Sequence, residues 1–125
     1  MKTEDIDGTI LETWTIEEVA RAWDANEIVL IDVRTPQEYM FEHIEGALLL
    51  PMPFFKPEKL PGQSDKRLVI HCGSGVRSEK MARAAIAAGI GRIAHMEGGF
   101  GAWKEAGQPY IGTNMATGAP QAVTR

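Results

Sequence analysis

The stretch "LVIHCGSGVRSEK", residues 68–80, runs an apolar segment of strand length into the chain's only cysteine, then through two glycines to an arginine and the start of a helical pattern. "RLVIHC" reads as a buried strand. After the glycines, "RSEKMARAAIAAG" places Met81, Ala84, Ala85 and Ala88 at helical spacing, with Gly89 as the C-terminal cap. Cys72 therefore stands where a strand hands over to a helix.

The same alternation extends in both directions. Upstream, "TIEEVARAW" opens on Thr15 with Glu18 three residues on, a capping box, and Ile16, Val19, Ala20 and Trp23 recur at helical spacing, predicting a helix from about Ile16 to Asp24. "EIVLIDV" is a continuous apolar run rich in β-branched residues, the pattern of a parallel strand covered on both faces, ending near Asp32 and Val33. "TPQEYMFEH" repeats the start signal, with Thr35 as cap, Pro36 at the first helical position and Glu38 at the third. "GALLLPM" is another apolar run, stopped by a proline-rich loop that holds Phe54 and Phe55, which either cover a pocket or plug the core. Downstream, "RIAHMEGG" reads as a strand containing His95, and "FGAWKEAGQPY" as a last short helix ended by Gly107 and Pro109, with Trp103 packing it onto the sheet. From residue 111 on, small and polar residues without periodicity predict a flexible tail, 111–125.

Strands alternating with helices predict an α/β fold: a mainly parallel central sheet of about five strands with helices on both faces. Residues 1–13 read as an N-terminal segment and 14–110 as the domain. In such sheets ligands bind beyond the carboxyl ends of the strands, which is where Cys72 and Asp32 fall.

Composition sets limits. The 125 residues suit one domain, and 13 basic against 17 acidic residues give a net charge of −4, without the basic excess that nucleic-acid binding requires. Acids stand where a secretory signal would have its apolar core, and no apolar run approaches the ~18 residues of a membrane span, so no membrane partner and a cytoplasmic location are expected. A single cysteine makes no internal disulfide, and His43, His71 and His95 lack partners at ligand spacing, so no metal is expected.

A thiol attacks only as thiolate, and its pKa falls near a helix N-terminus or a cation. The N–H groups of Gly73, Ser74, Gly75 and Val76, with the first turn of a helix beginning near Arg77 or Ser78, can ring the sulfur as an anion-binding nest. Gly73 and Gly75 permit so tight a turn, Arg77 adds a fixed positive charge, and Ser78 a hydroxyl that bonds the sulfur or caps the helix. The competing reading makes Cys72 a small buried hydrophobe, but core packing calls for neither the glycines nor the charge.

"HC", a loop and "RS" resemble the phosphate-binding loop of cysteine-dependent phosphatases, which has five residues between cysteine and arginine. Here "GSGV" supplies four, a smaller ring that suits one extra sulfur atom better than a phosphate. That shorter loop is similar to the active-site loop of rhodaneses, sulfurtransferases whose cysteine carries a persulfide. "IDVRTPQEYMFEHIEGALLLP", residues 31–51, and "MEGGFGAWKEAGQP", residues 96–109, resemble two further rhodanese signatures, so the likeness covers most of residues 14–110.

The resemblance implies a rhodanese-like three-layer fold and a thiosulfate sulfurtransferase type of activity. Sulfane sulfur would pass from a small anionic donor such as thiosulfate, through a Cys72 persulfide, to cyanide or a thiol, without any cofactor. It also implies an Arg34–Glu38 ion pair that fixes the loop after the strand. Asp32, a carboxylate at a strand end, reads as a supporting residue that accepts hydrogen bonds from a neighbouring loop, with an acid or base role as the minority reading. Three departures stand out: Glu42 replaces the usual glycine before His-Ile, Gly73 leaves the loop with one cation, and His71 precedes the cysteine. An alternative is a sulfur-relay or protein-binding module that hands persulfide to a protein acceptor with little thiosulfate activity. A cysteine phosphatase or arsenate reductase is a lesser alternative. His43 reads as a surface or hinge histidine, with a general base as the minority reading.

Overall fold

The computed structural model describes residues 1–124. Its first element is a hairpin of β1, Lys2–Ile6, and β2, Thr9–Trp14. Asp7 and Gly8 turn it, with φ of 52° and 88°, the left-handed pair of a two-residue hairpin turn. β2 then pairs in parallel with a strand more than 80 residues on, so the stretch read as an N-terminal segment is built into the central sheet. Leu11 buries its side chain there, and so does Glu12, which is held by the indole N–H of Trp14 and by Arg67 and Arg92. A buried glutamate in a strand hides the apolar alternation that would otherwise announce it.

Helix α1, Ile16–Asp24, starts where its capping box places it: the Thr15 hydroxyl accepts from the Glu18 N–H, and the Glu18 carboxylate accepts from the Thr15 N–H. β3, Ile28–Asp32, leads to α2, Pro36–Phe41, which is capped in the same way by Thr35 and Glu38. The run "GALLLPM" yields only β4, Leu48–Leu49, because the prolines after it lack an N–H for a ladder, and the loop instead forms two 3₁₀ turns, Met52–Phe54 and Pro57–Lys59. β5, Arg67–His71, α3, Val76–Ala87, β6, Arg92–Met96, and α4, Gly99–Glu105, complete the alternation.

The sheet has six strands in the order β1-β2-β6-β5-β3-β4, all neighbours parallel except the β1–β2 pair. Its two faces bury separate cores. Ile28 and Leu30 of β3 and Val69 of β5 pack with α1 and with Phe100 and Trp103 of α4. The alternate residues, Ile31, Leu68 and Ile70, pack with Met81, Ala82 and Ala85 of α3 and with Phe55 and Leu60 of the proline-rich loop. Period-two alternation along each strand is what lets one sheet serve both layers.

The tail expected to be flexible forms a second hairpin, β7, Tyr110–Thr113, with β8, Pro120–Val123. Asn114 organises its turn, its Oδ1 accepting from the N–H groups of Ala116 and Thr117. Arg125, the last residue of that expected tail, lies outside the described residues. Among the described residues no helix is long and apolar enough to cross a membrane.

Candidate active site

β3 and β5 lie side by side with Asp32 in register with His71, so the loops that leave their carboxyl ends are neighbours. β5 delivers Cys72, fully buried, to this edge. The chain then turns through Gly73 and Ser74 to Gly75, whose φ of 102° lies in the left-handed region that glycine favours. Helix α3 begins at Val76, slightly ahead of the expected start at Arg77 or Ser78.

The result is a ring of donors. Sγ of Cys72 accepts the N–H of Gly75 at 3.1 Å and the N–H of Ser78 at 3.3 Å. The second donor belongs to the first helical turn, whose N–H groups have no partner inside the helix. Burial alone raises the thiol pKa, but the hydroxyl and N–H of Ser78, with the N–H groups of Ser74 and Gly75, outweigh it and hold the thiol below its ordinary value. Val76 points outward and is exposed.

The neighbouring loop is closed by charge. Asp32 accepts from the Arg34 N–H at 3.0 Å, from Nε at 3.0 and 3.1 Å, and from Nη2 at 2.8 Å, with both residues buried. The same Nη2 donates to the Glu42 carbonyl at 2.7 Å. The expected Arg34–Glu38 pair is therefore replaced by two others. Arg34 folds back onto Asp32, and Glu38 takes Arg77 in a bidentate pair at 2.8 and 3.0 Å. Arg77, followed by the Thr35 N–H, holds the Glu38 carboxyl down at about 2 against the effect of partial burial.

A model of the Rhodanese-like domain family matches residues 15–106, the span that contains both loops and every helix. The chain belongs to the rhodanese-like domain family. It is 34% identical over 91 residues to a sulfurtransferase of Allochromatium vinosum, covering 73% of this chain and 85% of that protein. It is 40% identical over 89 residues to an uncharacterized protein of Synechocystis, covering 71% of this chain and half (50%) of the other's length. A crystal structure of a thiosulfate sulfurtransferase from Pseudomonas aeruginosa superposes with a TM-score of 0.72 at 26% identity, covering 82% of this chain and 20% of that one.

Within this rhodanese-like domain the three departures acquire physical reasons or limits. A Cβ at Gly73 would stand 3.2 Å from Nη2 of Arg77, so the glycine makes room for the guanidinium that Glu38 holds. Glu42 has a φ of −153°, extended backbone open to any residue, and its carboxylate is matched by Lys104 at 2.7 Å. His71 is buried, its Nε2 lies 3.7 Å from Asp32, and burial holds its pKa below the ordinary range. Nothing in the structure explains why a histidine stands there.

His43 is a joint between segments: it stacks on Tyr39 with ring centroids 4.1 Å apart and exchanges backbone hydrogen bonds with Ile111 of β7. Phe55 packs against the core, whereas Phe54 is exposed and lines a cleft with Pro36, Met52 and Arg77, so the two phenylalanines divide the roles left open between them. Among the described residues no three histidine, cysteine or acidic side chains gather to hold a metal.

Two features of the site emerge only from the fold. Gly99 lies against the Cys72 loop so closely that a Cβ would come within 2.6 Å of the Cys72 carbonyl oxygen, and the N–H groups of Phe100 and Gly101 bond the carbonyls of Cys72 and Gly73 at 2.7 and 3.0 Å. The start of α4 thus holds the backbone of the cysteine loop from behind. The paired glycines of "MEGG" are the available signal, since a residue without a Cβ permits close backbone approach. The second feature is the contact of His95 with Ser78, for which the sequence carries no local sign.

Proposed function

We propose that the chain is a sulfurtransferase that moves a sulfane sulfur from thiosulfate to a thiophilic acceptor through a persulfide on Cys72. The observation that carries this reading is the pair of N–H donors, Gly75 and Ser78, directed at Sγ. The Cys72 thiolate attacks the outer sulfur of thiosulfate; its S–S bond breaks, and sulfite departs with the bonding electron pair. The new terminal sulfur is an anion, and oriented loop amides stabilise it in the way an oxyanion hole stabilises oxygen. Cyanide or a thiolate then takes that sulfur, giving thiocyanate or a new persulfide and returning Cys72 as thiolate. Neither a metal nor an organic cofactor enters the cycle, and a cytoplasmic setting suits an unpaired reduced cysteine.

Because Cys72 is buried, the donor reaches it through the rim of the loop. The Arg77–Glu38 pair beside Gly73 lies on that rim, each side chain about one-third exposed at 34% and 36%. The same pair favours a second reading. Glu38 already neutralises the loop's one arginine, which lowers its attraction for a doubly charged donor and suits a relay that receives persulfide and passes it to a protein acceptor. The four-residue gap between Cys72 and Arg77 speaks against the phosphatase alternative.

Intact mass after incubation with thiosulfate separates these readings. Wild-type protein is expected to gain one sulfur atom and Cys72→Ser none, with the variant still folded. No gain in folded wild type with a titratable thiol would leave the relay reading, with a different sulfur source.

A further inference from the structure

His95, in β6, stands behind the Cys72 loop rather than in it. The residue is 3% exposed, its Nδ1 lies 3.0 Å from the Ser78 hydroxyl oxygen, and its Nε2 lies 3.2 Å from the Thr13 hydroxyl of β2. Ser78 also reaches the Gly75 carbonyl at 3.2 Å with that hydroxyl, while its N–H donates to Sγ.

A hydroxyl has one proton to give, and a neutral imidazole carries its proton on one nitrogen only. With the proton on Nε2, Nδ1 takes the Ser78 proton and turns the hydroxyl away from the sulfur. With the proton on Nδ1, the ring donates to the Ser78 oxygen, Thr13 donates to Nε2, and the Ser78 proton is free to face either the Gly75 carbonyl or the sulfur. The Gly75 carbonyl also accepts the Glu79 N–H at 3.1 Å, so it keeps a partner when the hydroxyl turns to an anionic sulfur. Both arrangements keep the ring bonded to Thr13 and Ser78, but only the second leaves the thiolate a third donor.

We propose that His95 is a positioning residue for Cys72: held as the Nδ1–H tautomer between Thr13 and Ser78, it fixes the Ser78 oxygen and frees its proton for the anionic sulfur. The inference rests on the reading of Cys72 as a thiolate nucleophile. Glu79 and Arg83 of α3 and Glu97, just after β6, are the charged groups that act on the ring, and Lys2 of β1 pairs with Glu97. Burial, the largest influence, holds the ring below its ordinary pKa, with the two carboxylates opposing. A ring neutral near pH 7 therefore has a tautomer to choose.

Nitrogen NMR of the wild-type ring reads the tautomer, and the pH profile of Cys72 alkylation by iodoacetamide reads the thiol. The expected ring is protonated at Nδ1. Ser78→Ala and His95→Phe are each expected to slow alkylation roughly tenfold below the thiol's pKa, the double variant no further, and His95→Asn, whose amide can donate to Ser78, to recover part of the loss. An Nε2–H ring, or a His95→Phe thiol that titrates as in wild type, overturns the proposal. The tautomer is read on wild-type protein, so a poorly folded variant does not remove the test. Alkylation needs no sulfur donor, so failure to form a persulfide from thiosulfate would count against the sulfur-transfer reading and leave this experiment to decide the role of His95.

Discussion

Two loops leave the same edge of the sheet from adjacent strands, and they hold their shape by opposite means. After β3, Asp32 and Arg34 satisfy each other with side chains, and the guanidinium also takes a carbonyl and lies over the ring of Phe100 at 4.6 Å. After β5, Cys72 is met by backbone N–H groups and the hydroxyl-bearing Ser78. A loop closed by an ion pair has used its donors, whereas a loop built from amides keeps them directed at one atom that can change its charge. The first arrangement suits a strut and the second an anion that comes and goes.

The largest expected effect breaks the strut. Asp32→Ala leaves the Arg34 guanidinium buried without its carboxylate, a change that should destabilise by about 3–5 kcal/mol, measured by urea denaturation. Loss of sulfur transfer at unchanged stability would instead give Asp32 a part in the chemistry and end the contrast between the loops.

Gly99→Ala tests the other loop through its backing. Its φ of 64° and the 2.6 Å approach to the Cys72 carbonyl oxygen leave no room for a Cβ. Overpacking of this kind costs about 1–3 kcal/mol, and the displaced loop should let the thiol pKa rise toward its ordinary value, slowing alkylation below neutrality. A thiol that titrates unchanged in a destabilised variant would show that the donors keep their aim without α4.

Arg77→Ala separates charge from shape. Reaction with anionic thiosulfate should fall roughly tenfold at low ionic strength, while a neutral polysulfide donor should be affected less. Equal loss with both donors would make Arg77 a clamp for the loop, closer in kind to Arg34.

The smallest effect belongs to Glu38→Gln. The Glu38 carboxyl is held at about 2 in the folded protein against 4.5 ordinarily, so the Arg77 pair stabilises fully above pH 4.5 and loses that contribution as pH falls toward 2. With both side chains partly exposed, the pair contributes no more than about 1 kcal/mol. The stability difference between wild type and Glu38→Gln should therefore shrink over that acid window. A difference that stays constant with pH would assign it to the helix cap alone.

What could be read from the residues differs along the chain for reasons of range. Both capping boxes form as their spacing requires, because cap and third residue lie within one turn. The N-terminal hairpin is hard to read from the residues although Asp7-Gly8 is a turn signal: β1 is largely exposed and charged, and β2 carries the buried Glu12. The resemblance implies an Arg34–Glu38 pair, yet Arg34 precedes the helix and reaches back two residues, leaving Glu38 to a partner 39 residues away.

By itself the sequence determined the alternation of strands and helices, the caps that start α1 and α2, and the placing of a lone cysteine between a buried strand and a glycine turn. All of these follow from contacts within a few residues, which spacing records. The tertiary structure alone decided that Glu38 takes Arg77, that α4 backs the cysteine loop, and that His95 reaches Ser78. Those pairings depend on distances across the sheet between segments far apart in the chain, where many partners of the right charge exist and only the assembled fold selects among them.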